Sequence, residues 1–247
     1  ENGRFPVKRV VGEPVEVWAD IVRDGHDQVS AELFWRADDR SEWTHVPMVH
    51  HGNDRWTASF RPLRPGRYVY GIEAWTDDFA TWRRATMLKK EGGHDITLDA
   101  LEGAAMITRA RPKNREAAAA LTASCEKYLE TGDFEPLFGE RVLAAMAHSQ
   151  GRPDATRSKL YPLVIDRPRA AAGAWYEMVP RSQGTEPGRH GTFRDCIARL
   201  PDIAAMGFDV VYLTPIHPIG RINRKGRNNA LTAEPGDPGS PYAIGAA

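Results

Sequence analysis

Regular alternation of apolar and polar residues in the first part of the chain is the feature that most constrains its fold. Apolar side chains recur at every second position in four runs, 15–21, 29–35, 56–60 and 68–74. Turn-forming sequences such as Asp24-Gly25 and Pro65-Gly66 separate these runs. A period of two places one face of each strand in a core and the other in solvent. The first hundred residues therefore predict a small antiparallel β-sandwich.

Tryptophan is concentrated in this β-region. Six of the seven tryptophans of the sequence lie there: Trp18, Trp35, Trp43, Trp56, Trp75 and Trp82. An exposed indole can stack on a sugar ring, so a glycan-binding module is one interpretation. Several of these residues occupy alternating strand positions, where large aromatic side chains fill a core. Core packing is the interpretation that the positions favour.

The sequence pattern becomes helical at about residue 112. Asn114 is a favourable N-cap for a helix that ends at Gly132, and a second helix is predicted from Glu135 to His148. Two helices joined by a short glycine-containing turn form a helical hairpin. The sequence leaves open whether this insertion, at about 112–150, packs on the sheets or forms a dimer surface.

A strand–helix–strand pattern follows a domain joint near residue 170. Residues 175–180 and 208–213 predict strands, and Thr192 is the predicted N-cap of the amphipathic helix between them. Gly207 occupies the position where helices commonly end. A helix of this length is sufficient for a parallel crossover. The pattern indicates a βαβ unit and does not separate a barrel from a doubly wound sheet.

A long segment without periodicity begins at Thr214, after the second strand of this unit. It carries four cations (Arg221, Arg224, Lys225 and Arg227) followed by two asparagines, Asn228 and Asn229. Loops after the carboxyl ends of strands form the active sites of βα folds. Lys and Asn side chains donate hydrogen bonds to hydroxyl groups, and clustered cations attract anions. A solvated basic loop without function is one alternative. A nuclear-localisation or RNA-binding segment is another, which the absence of interleaved aromatic residues disfavours.

Several sequence motifs of this second region resemble a known family. The matching segments are Ala174-Trp175-Tyr176-Glu177, His190-Gly191-Thr192, Ile216-His217-Pro218-Ile219-Gly220, Arg224-Lys225-Gly226-Arg227-Asn228-Asn229 and Pro241-Tyr242-Ala243-Ile244-Gly245. The segment from Gly207 to Pro218 is similar to the second barrel strand of the α-amylase superfamily. The full set resembles the α-1,4-glucan:maltose-1-phosphate maltosyltransferases, and the resemblance covers essentially the whole chain.

This resemblance implies a multidomain β plus α/β fold. Residues 1–170 are expected to form an immunoglobulin-like β-sandwich with the helical insertion. Residues 171–247 are expected to form the first βαβ unit of an incomplete (β/α)8 TIM barrel, truncated after its second strand.

The implied activity is transfer of maltosyl units from maltose 1-phosphate to the non-reducing end of an α-1,4-glucan, with release of phosphate and retention of configuration. The family's nucleophile, acid/base and third carboxylate follow barrel strands beyond residue 247, so no catalytic residue is assigned in this chain. Two carboxylates near the strands, Glu177 and Asp209, match no catalytic motif and are interpreted as structural. The expected activity therefore requires sequence outside these residues.

The resemblance also implies a substrate-binding role for the basic loop. Lys225 is expected to contact the maltosyl donor, and Asn228 to shape the same loop. Arg224 and Arg227 are expected to brace the loop through carbonyl or carboxylate contacts. His217 faces the sugar in one interpretation and is a hydrogen-bonded structural residue in the other, which we favour.

Composition limits the partners of the chain. Lys plus Arg and Asp plus Glu both number 33, a balance that argues against a nucleic-acid-binding protein. The two cysteines, Cys125 and Cys196, fall in different predicted units, which fits a reduced cytoplasmic protein. No metal-ligand spacing, cofactor motif, signal peptide or membrane-spanning run is recognised. Family resemblance implies a homodimer without a cofactor.

Two alternatives to the maltosyltransferase remain open at this point. The first is a non-catalytic fragment that binds glycans or mediates dimerisation. The second is another α-amylase-type glycoside hydrolase, which would use water in place of the glucan acceptor.

Overall fold

The computed structural model describes residues 3–242 of the chain and divides into two compact units, Glu1–Asp166 and Arg167–Ala247. Residues 243–245, which end one of the motifs above, lie outside the described part. In chain order the first unit contains β1 (Val7–Val10), β2 (Val15–Asp20), β3 (Val29–Ala37), β4 (Thr44–Pro47), β5 (Val49–His50), β6 (Arg55–Phe60), β7 (Gly66–Thr76), α1 (Asp78–Glu91), α2 (Thr97–Arg109), α3 (Arg115–Thr131), α4 (Glu140–Ala147), β8 (Thr156–Arg157) and β9 (Tyr161–Asp166). The second contains β10 (Trp175–Met178), α5 (Phe193–Ala205) and β11 (Val210–Leu213).

Two sheets form the β-part of the first unit. The larger sheet has the strand order β1-β9-β7-β3-β4, with β8 paired to β7, and the smaller has the order β2-β6-β5. Pairing is antiparallel except between β1 and β9, which are parallel with Val7 opposite Leu163. The prediction of a purely antiparallel arrangement is therefore wrong at this edge. The alternation did not identify β1, because only its first and last residues are apolar.

One hydrophobic core is shared by the two sheets. Val15 and Phe60 enter it from the small sheet, and Leu33 and Leu163 enter it from the large one. Each fully buried side chain of this size stabilises the fold by about 1.5–3 kcal/mol relative to an exposed one. The predicted strand positions at Val15, Leu33 and Phe60 are thus confirmed as core positions.

The tryptophans divide between core and surface. Trp56, Trp75 and Trp82 are buried, as the packing interpretation expected. Trp18 differs, because half of its surface is exposed on the outer face of β2.

The helical segment, which comprises α1 to α4, is longer than the sequence interpretation expected. Helices begin at Asp78 rather than near residue 112, so the assignment of the first hundred residues to β-structure is wrong for α1 and the start of α2. The Asp77 side chain caps α1 by accepting a hydrogen bond from the backbone N–H of Ala80 at 2.8 Å. Phe79 and Trp82 then face the helical core, which explains why Trp82 does not lie on a strand.

The two predicted helices are present, with one boundary changed. Asn114 caps α3 by accepting from Ala117 N–H at 2.8 Å, and Gly132 ends it in the left-handed conformation (φ 67°). The second begins with a short 3-10 helix, Glu135–Phe138, and α4 proper starts only at Glu140.

The two ends of the helical segment are joined by hydrogen bonds. At its start, Asp77 accepts a hydrogen bond from Gln150 Nε2 at 2.7 Å, and Phe79 N–H donates to Gln150 Oε1 at 3.2 Å. The Asp154 carboxylate accepts from the Thr76 backbone N–H at 3.2 Å. The chain therefore leaves β7 and returns to β8 at neighbouring points.

A buried charged cluster lies where the returning chain meets the large sheet. Glu32 and Glu73 are directly opposite each other on β3 and β7, and both are buried. Arg152 bridges them, with Nη1 at 2.8 Å from Glu32 and 2.9 Å from Glu73. His45 Nδ1 lies 2.7 Å from Glu32, and Arg157 Nε donates to Glu73 at 2.6 Å. Arg152 contacts both carboxylates and so offsets their mutual repulsion, while His45 and Arg157 each pair with one of them.

The second unit is the predicted βαβ unit. β10 and β11 pair in parallel, with Trp175 opposite Val210 and Met178 opposite Leu213. α5 connects them and runs through Pro201 without a break. Its buried face meets the sheet through a small core of Met178, Cys196 and Ile203. Among residues 3–242, no helix combines the length and apolar character that crossing a bilayer requires.

Candidate functional site

A cleft of about 290 Å³ opens at the carboxyl ends of β10 and β11. Its lining combines the residues that follow β10, the start of α5 and the residues that follow β11: Val179, Pro180, Arg181, His190, Gly191, Thr192, Phe193, Thr214, Pro215, Ile216, His217 and Pro241. Carboxyl ends of parallel strands are where βα folds place their binding sites. The position of the cleft agrees with the expectation drawn from the loop after the second strand.

The start of α5 is fixed by a capping box on the rim of this cleft. Thr192 N–H and Oγ1 donate to Asp195 Oδ2 at 2.7 and 2.8 Å. Arg189 Nη2 donates to the other oxygen of Asp195 at 2.9 Å. The hydrogen bond from Arg189 and those from Thr192 hold the pKa of Asp195 well below its usual range. The loop after β10 is thereby tied to the helix that follows it.

Two arginines converge on the backbone near Pro238, one from the loop after β10 and one from the loop after β11 itself. Arg181, in the short helix after β10, donates to the Gly239 carbonyl at 3.1 Å and to the Pro238 carbonyl at 3.3 Å. Arg224 Nη2 donates to the same Pro238 carbonyl at 3.0 Å. The expectation that Arg224 braces the loop through a carbonyl contact is confirmed.

A buried aspartate fixes the middle of the basic loop. Asp237 accepts hydrogen bonds from Glu234 N–H at 2.9 Å and from Arg227 Nε at 3.2 Å. The hydrogen bond from the Glu234 backbone and the contact with Arg227 lower the pKa of Asp237 despite its burial. The carboxylate contact expected of Arg227 is therefore confirmed. Sequence reasoning did not find Asp237, although the Asp-Pro-Gly sequence that contains it is a common turn signal.

Lys225 lies between the two braced arginines. It is half-buried, and within residues 3–242 its ammonium has no hydrogen bond or ion pair. Next to it, Gly226 N–H donates to the Ala230 carbonyl at 2.9 Å. A Cβ on Gly226 would stand 2.3 Å from the Thr232 carbonyl oxygen, so the two backbone segments touch. The backbone around Lys225 is therefore held, while its ammonium makes no polar contact among residues 3–242.

Asn228 occupies a strained position in the same turn. It is exposed and adopts a left-handed conformation (φ 52°, ψ 35°) within the short helix Arg227–Asn229. Asn tolerates this conformation better than other residues with a side chain. Neither Lys225 nor Asn228 lines the cleft itself; both lie further along the loop that forms one of its walls.

Thr214 is a cleft residue that the sequence analysis did not single out. It directly follows β11 and is buried, and its hydroxyl finds no hydrogen-bond partner among residues 3–242. A buried hydroxyl without a partner costs free energy, so this position suits a ligand or further protein structure. His217 lines the same cleft.

The two carboxylates set aside in the sequence analysis lie away from the cleft lining. Asp209 precedes β11 at the opposite end of the strand, where it accepts from Ala174 N–H at 3.1 Å and pairs with Arg169 at 3.4 Å. Glu177 Oε1 accepts a hydrogen bond from the Tyr242 hydroxyl at 3.0 Å. Both contacts are structural, which agrees with their interpretation.

No group of His, Cys, Asp and Glu side chains in the described part of the chain has a metal-binding arrangement. Cys125 and Cys196 are both free thiols. Burial raises the pKa of each thiol, which keeps both protonated and unreactive at neutral pH.

Asp237→Ala is expected to loosen the basic loop. The substitution leaves the Glu234 N–H and the Arg227 guanidinium without their shared acceptor, and an unpaired buried group costs about 1–3 kcal/mol. Trypsin, which cleaves after Arg224, Lys225 and Arg227, should then cut this loop about tenfold faster. Limited proteolysis followed by mass spectrometry measures the rate. Glu234→Ala, which removes an exposed carboxylate from the same turn, should leave it unchanged; equal rates for all three proteins would show that Asp237 does not hold the loop.

Comparison with known proteins finds one family over the whole chain. The family model described as "Alpha-1,4-glucan:maltose-1-phosphate maltosyltransferase, domain N/S" matches residues 1–167. A protein of that name from Rhodospirillum rubrum is 50% identical over 100% of this chain. The protein of the same name from Chlorobaculum tepidum is 46% identical over 100% of this chain, and that from Pseudomonas aeruginosa is 42% identical over 99% of it.

The chain spans only part of these curated relatives. The alignments cover 39% of the Rhodospirillum rubrum protein and 38% of each of the other two. The similarity therefore describes a portion of those proteins.

Proposed function

The chain belongs to the α-1,4-glucan:maltose-1-phosphate maltosyltransferase family, and from this membership we propose that it forms the N-terminal part of an active maltosyltransferase. The enzyme transfers maltosyl units from maltose 1-phosphate to the non-reducing end of an α-1,4-glucan and releases phosphate. The observation that carries the proposal is the 50% identity over the entire chain, basic loop included, to a relative of that name.

Lys225 is the proposed donor-binding residue. Its ammonium has three donors for sugar hydroxyls, and its charge attracts a phosphorylated sugar. The contacts of Arg224 and Arg227 hold the backbone on both sides, so little conformational entropy is lost when a ligand binds. Asn228, in the same turn, is proposed to shape the loop around the donor.

The chemical step is proposed to use carboxylates beyond residue 247. In a retaining mechanism, an aspartate attacks the anomeric carbon of the maltosyl unit as phosphate leaves. A glutamic acid protonates the departing oxygen and then, as a base, deprotonates the 4-hydroxyl of the acceptor that displaces the aspartate. No cofactor is required. The contribution of this chain is to bind and orient the donor.

The proposed architecture is an immunoglobulin-like sandwich, residues 1–170, followed by the start of a (β/α)8 barrel, residues 171–247. The sandwich is supported by two sheets that share one core. The barrel is supported by a parallel strand pair whose surroundings remain apolar: Trp175, Phe193 and Ile197 are each more than half exposed. Parallel strands are normally buried on both faces, so these residues favour further strands and helices around the pair.

A cytoplasmic homodimer is the proposed state of the enzyme. Two free cysteines fit a reducing compartment. Leu98 and Leu129, on two helices of the first unit, are exposed by more than 70% and offer apolar area for self-association.

The proposed function is tested on the full-length polypeptide that contains this chain. Incubation with maltose 1-phosphate and a maltohexaose primer should release one phosphate for each two-glucose extension of the primer, which a phosphate assay and mass spectrometry quantify together. Release of phosphate with free maltose and no extension would identify a hydrolase. No consumption of maltose 1-phosphate by the folded protein would reject the proposal.

A further inference from the structure

The outer face of the small sheet carries an exposed tryptophan, Trp18, whose indole ring we call the aromatic platform. Alternation along β2 sends Val15 and Val17 into the core and leaves Glu16, Trp18 and Asp20 outside. Half of the Trp18 surface is exposed. Most large aromatic side chains of this unit are buried or partly buried. A half-exposed indole in the middle of the outer face of β2 is therefore unusual in this unit.

Neighbouring side chains hold the indole in place. His51 lies 5.6 Å from the Trp18 ring, centroid to centroid, and the Arg55 guanidinium lies 5.8 Å from it. Each neighbour is itself fixed: Arg55 Nε pairs with Asp20 at 2.9 Å, and His51 Nε2 hydrogen-bonds Thr57 Oγ1 at 2.6 Å. The platform is therefore ordered before any ligand arrives, which reduces the entropy cost of binding.

The charges around Trp18 select a neutral ligand. Glu16 and Asp20 flank it on the same strand, and the cation over its ring, Arg55, is paired with Asp20. Arg23 and Arg157, which line the adjoining cavity, are also paired with carboxylates. A nucleic acid stacks on aromatic side chains but needs excess positive charge for its phosphates. Glu16 and Asp20 would repel the phosphate of a nucleic acid, and they would likewise repel an anionic sugar such as maltose 1-phosphate. The groups present instead offer hydrogen-bond donors and acceptors beside an aromatic surface, the combination that a neutral sugar ring uses.

The geometry points to a second glucan-binding site on the first unit, in which Trp18 stacks on a glucose ring of the α-1,4-glucan and Asp20, Arg55 and His51 bind its hydroxyls. This inference rests on the proposed function for the identity of the polymer. A long acceptor that binds here while its non-reducing end occupies the active site is held at two points, which raises its effective concentration. An acceptor too short to reach both sites gains no affinity from the site at Trp18.

Affinity electrophoresis of the full-length enzyme in gels that contain glycogen tests this site. We expect Trp18→Ala to weaken retention about threefold to tenfold, the range that an aromatic stacking contact supplies. Trp18→Phe, which keeps an aromatic face, should retain most of the binding. Leu63→Ala removes an apolar side chain with 82% of its surface exposed elsewhere on this unit, and should leave retention unchanged.

Thermal unfolding and gel filtration of the same variants separate the outcomes. Unchanged retention of Trp18→Ala would overturn the inference. A lower melting temperature or a changed oligomeric state, without weaker retention, would show that other protein covers the platform, and would also overturn it. Wild-type protein that binds glycogen through Trp18 but releases no phosphate from maltose 1-phosphate would support the site and reject the proposed function.

Discussion

Lys225→Met in the full-length enzyme is expected to lower kcat/KM for maltose 1-phosphate about 10- to 150-fold, because hydrogen bonds to a charged group contribute about 1.5–3 kcal/mol. Met keeps the length of the side chain and removes its charge and its three donors. The melting temperature should not fall, since the ammonium supports no contact within residues 3–242. Steady-state phosphate release at varied donor concentration measures the change.

Arg221→Met is the matched control, since it removes an exposed cation from the same loop. If attraction of the phosphate by the overall charge of the loop were the cause, both variants would lose activity equally and the loss would shrink in high salt. A loss confined to Lys225→Met indicates direct contact with the donor. Full activity of Lys225→Met would contradict the donor-binding role.

Arg152→Ala is expected to destabilise the first unit by about 3 kcal/mol, because removal of one partner from a buried ionic group leaves the others uncompensated. Glu32 and Glu73 would then face each other without the cation that bridges them, each left with one partner, His45 for Glu32 and the largely exposed Arg157 for Glu73. The substitution also removes the guanidinium that lies 3.5 Å from the centre of the Trp75 ring. Urea unfolding at neutral pH measures the change in free energy. Arg67→Ala, an exposed position on the same strand β7, is the control.

The difference between wild type and Arg152→Ala should decrease at acidic pH. Burial raises the pKa of Glu32, but the hydrogen bonds and charges of Arg152 and His45 outweigh it and hold that pKa below its ordinary value of 4.5. The stability gained from a lowered pKa is present above that ordinary value and is lost as pH falls through the lower folded value. Without Arg152, part of the cause of the lowered Glu32 pKa is gone, so less stability is lost as pH falls. A difference that stayed constant down to pH 3 would show that Glu32 is not the cause.

Strands β2, β3, β6 and β7 could be predicted because their signal is local. Val15, Leu33 and Phe60 alternate with more polar neighbours, and burial of the apolar face of each strand directly stabilises a sequence that alternates in this way. α1 was missed because the β-pattern was extended over the first hundred residues, Trp82 included. The Asp77 cap, the spacing of Phe79 and Trp82 by three residues, and the lysines at the end of the helix together form a helix signal that was present in the sequence.

The shape of the basic loop at the candidate site, in contrast, has no local sequence signal. The basic character of the loop is visible in the sequence, but its shape comes from contacts between cations and distant carbonyl groups. Arg181 and Arg224 share the Pro238 carbonyl, and a buried Asp237 orients Arg227. Such contacts have no period and no fixed spacing. The bracing roles of Arg224 and Arg227 could be expected from the resemblance, whereas the carbonyl and the carboxylate they meet required the structure.

The joined ends of the helical segment bear on how the first unit reaches its native state. β7 and β9 pair with each other, yet the whole helical segment lies between them in the chain. Closing a loop of that length costs chain entropy, which slows pairing between distant strands. The helices make mainly local contacts, and a segment that folds first brings Asp77 and Gln150 together. With the helical segment folded first, the effective separation of β7 and β9 would become that of a short hairpin, and pairing of the two strands would be expected to speed up.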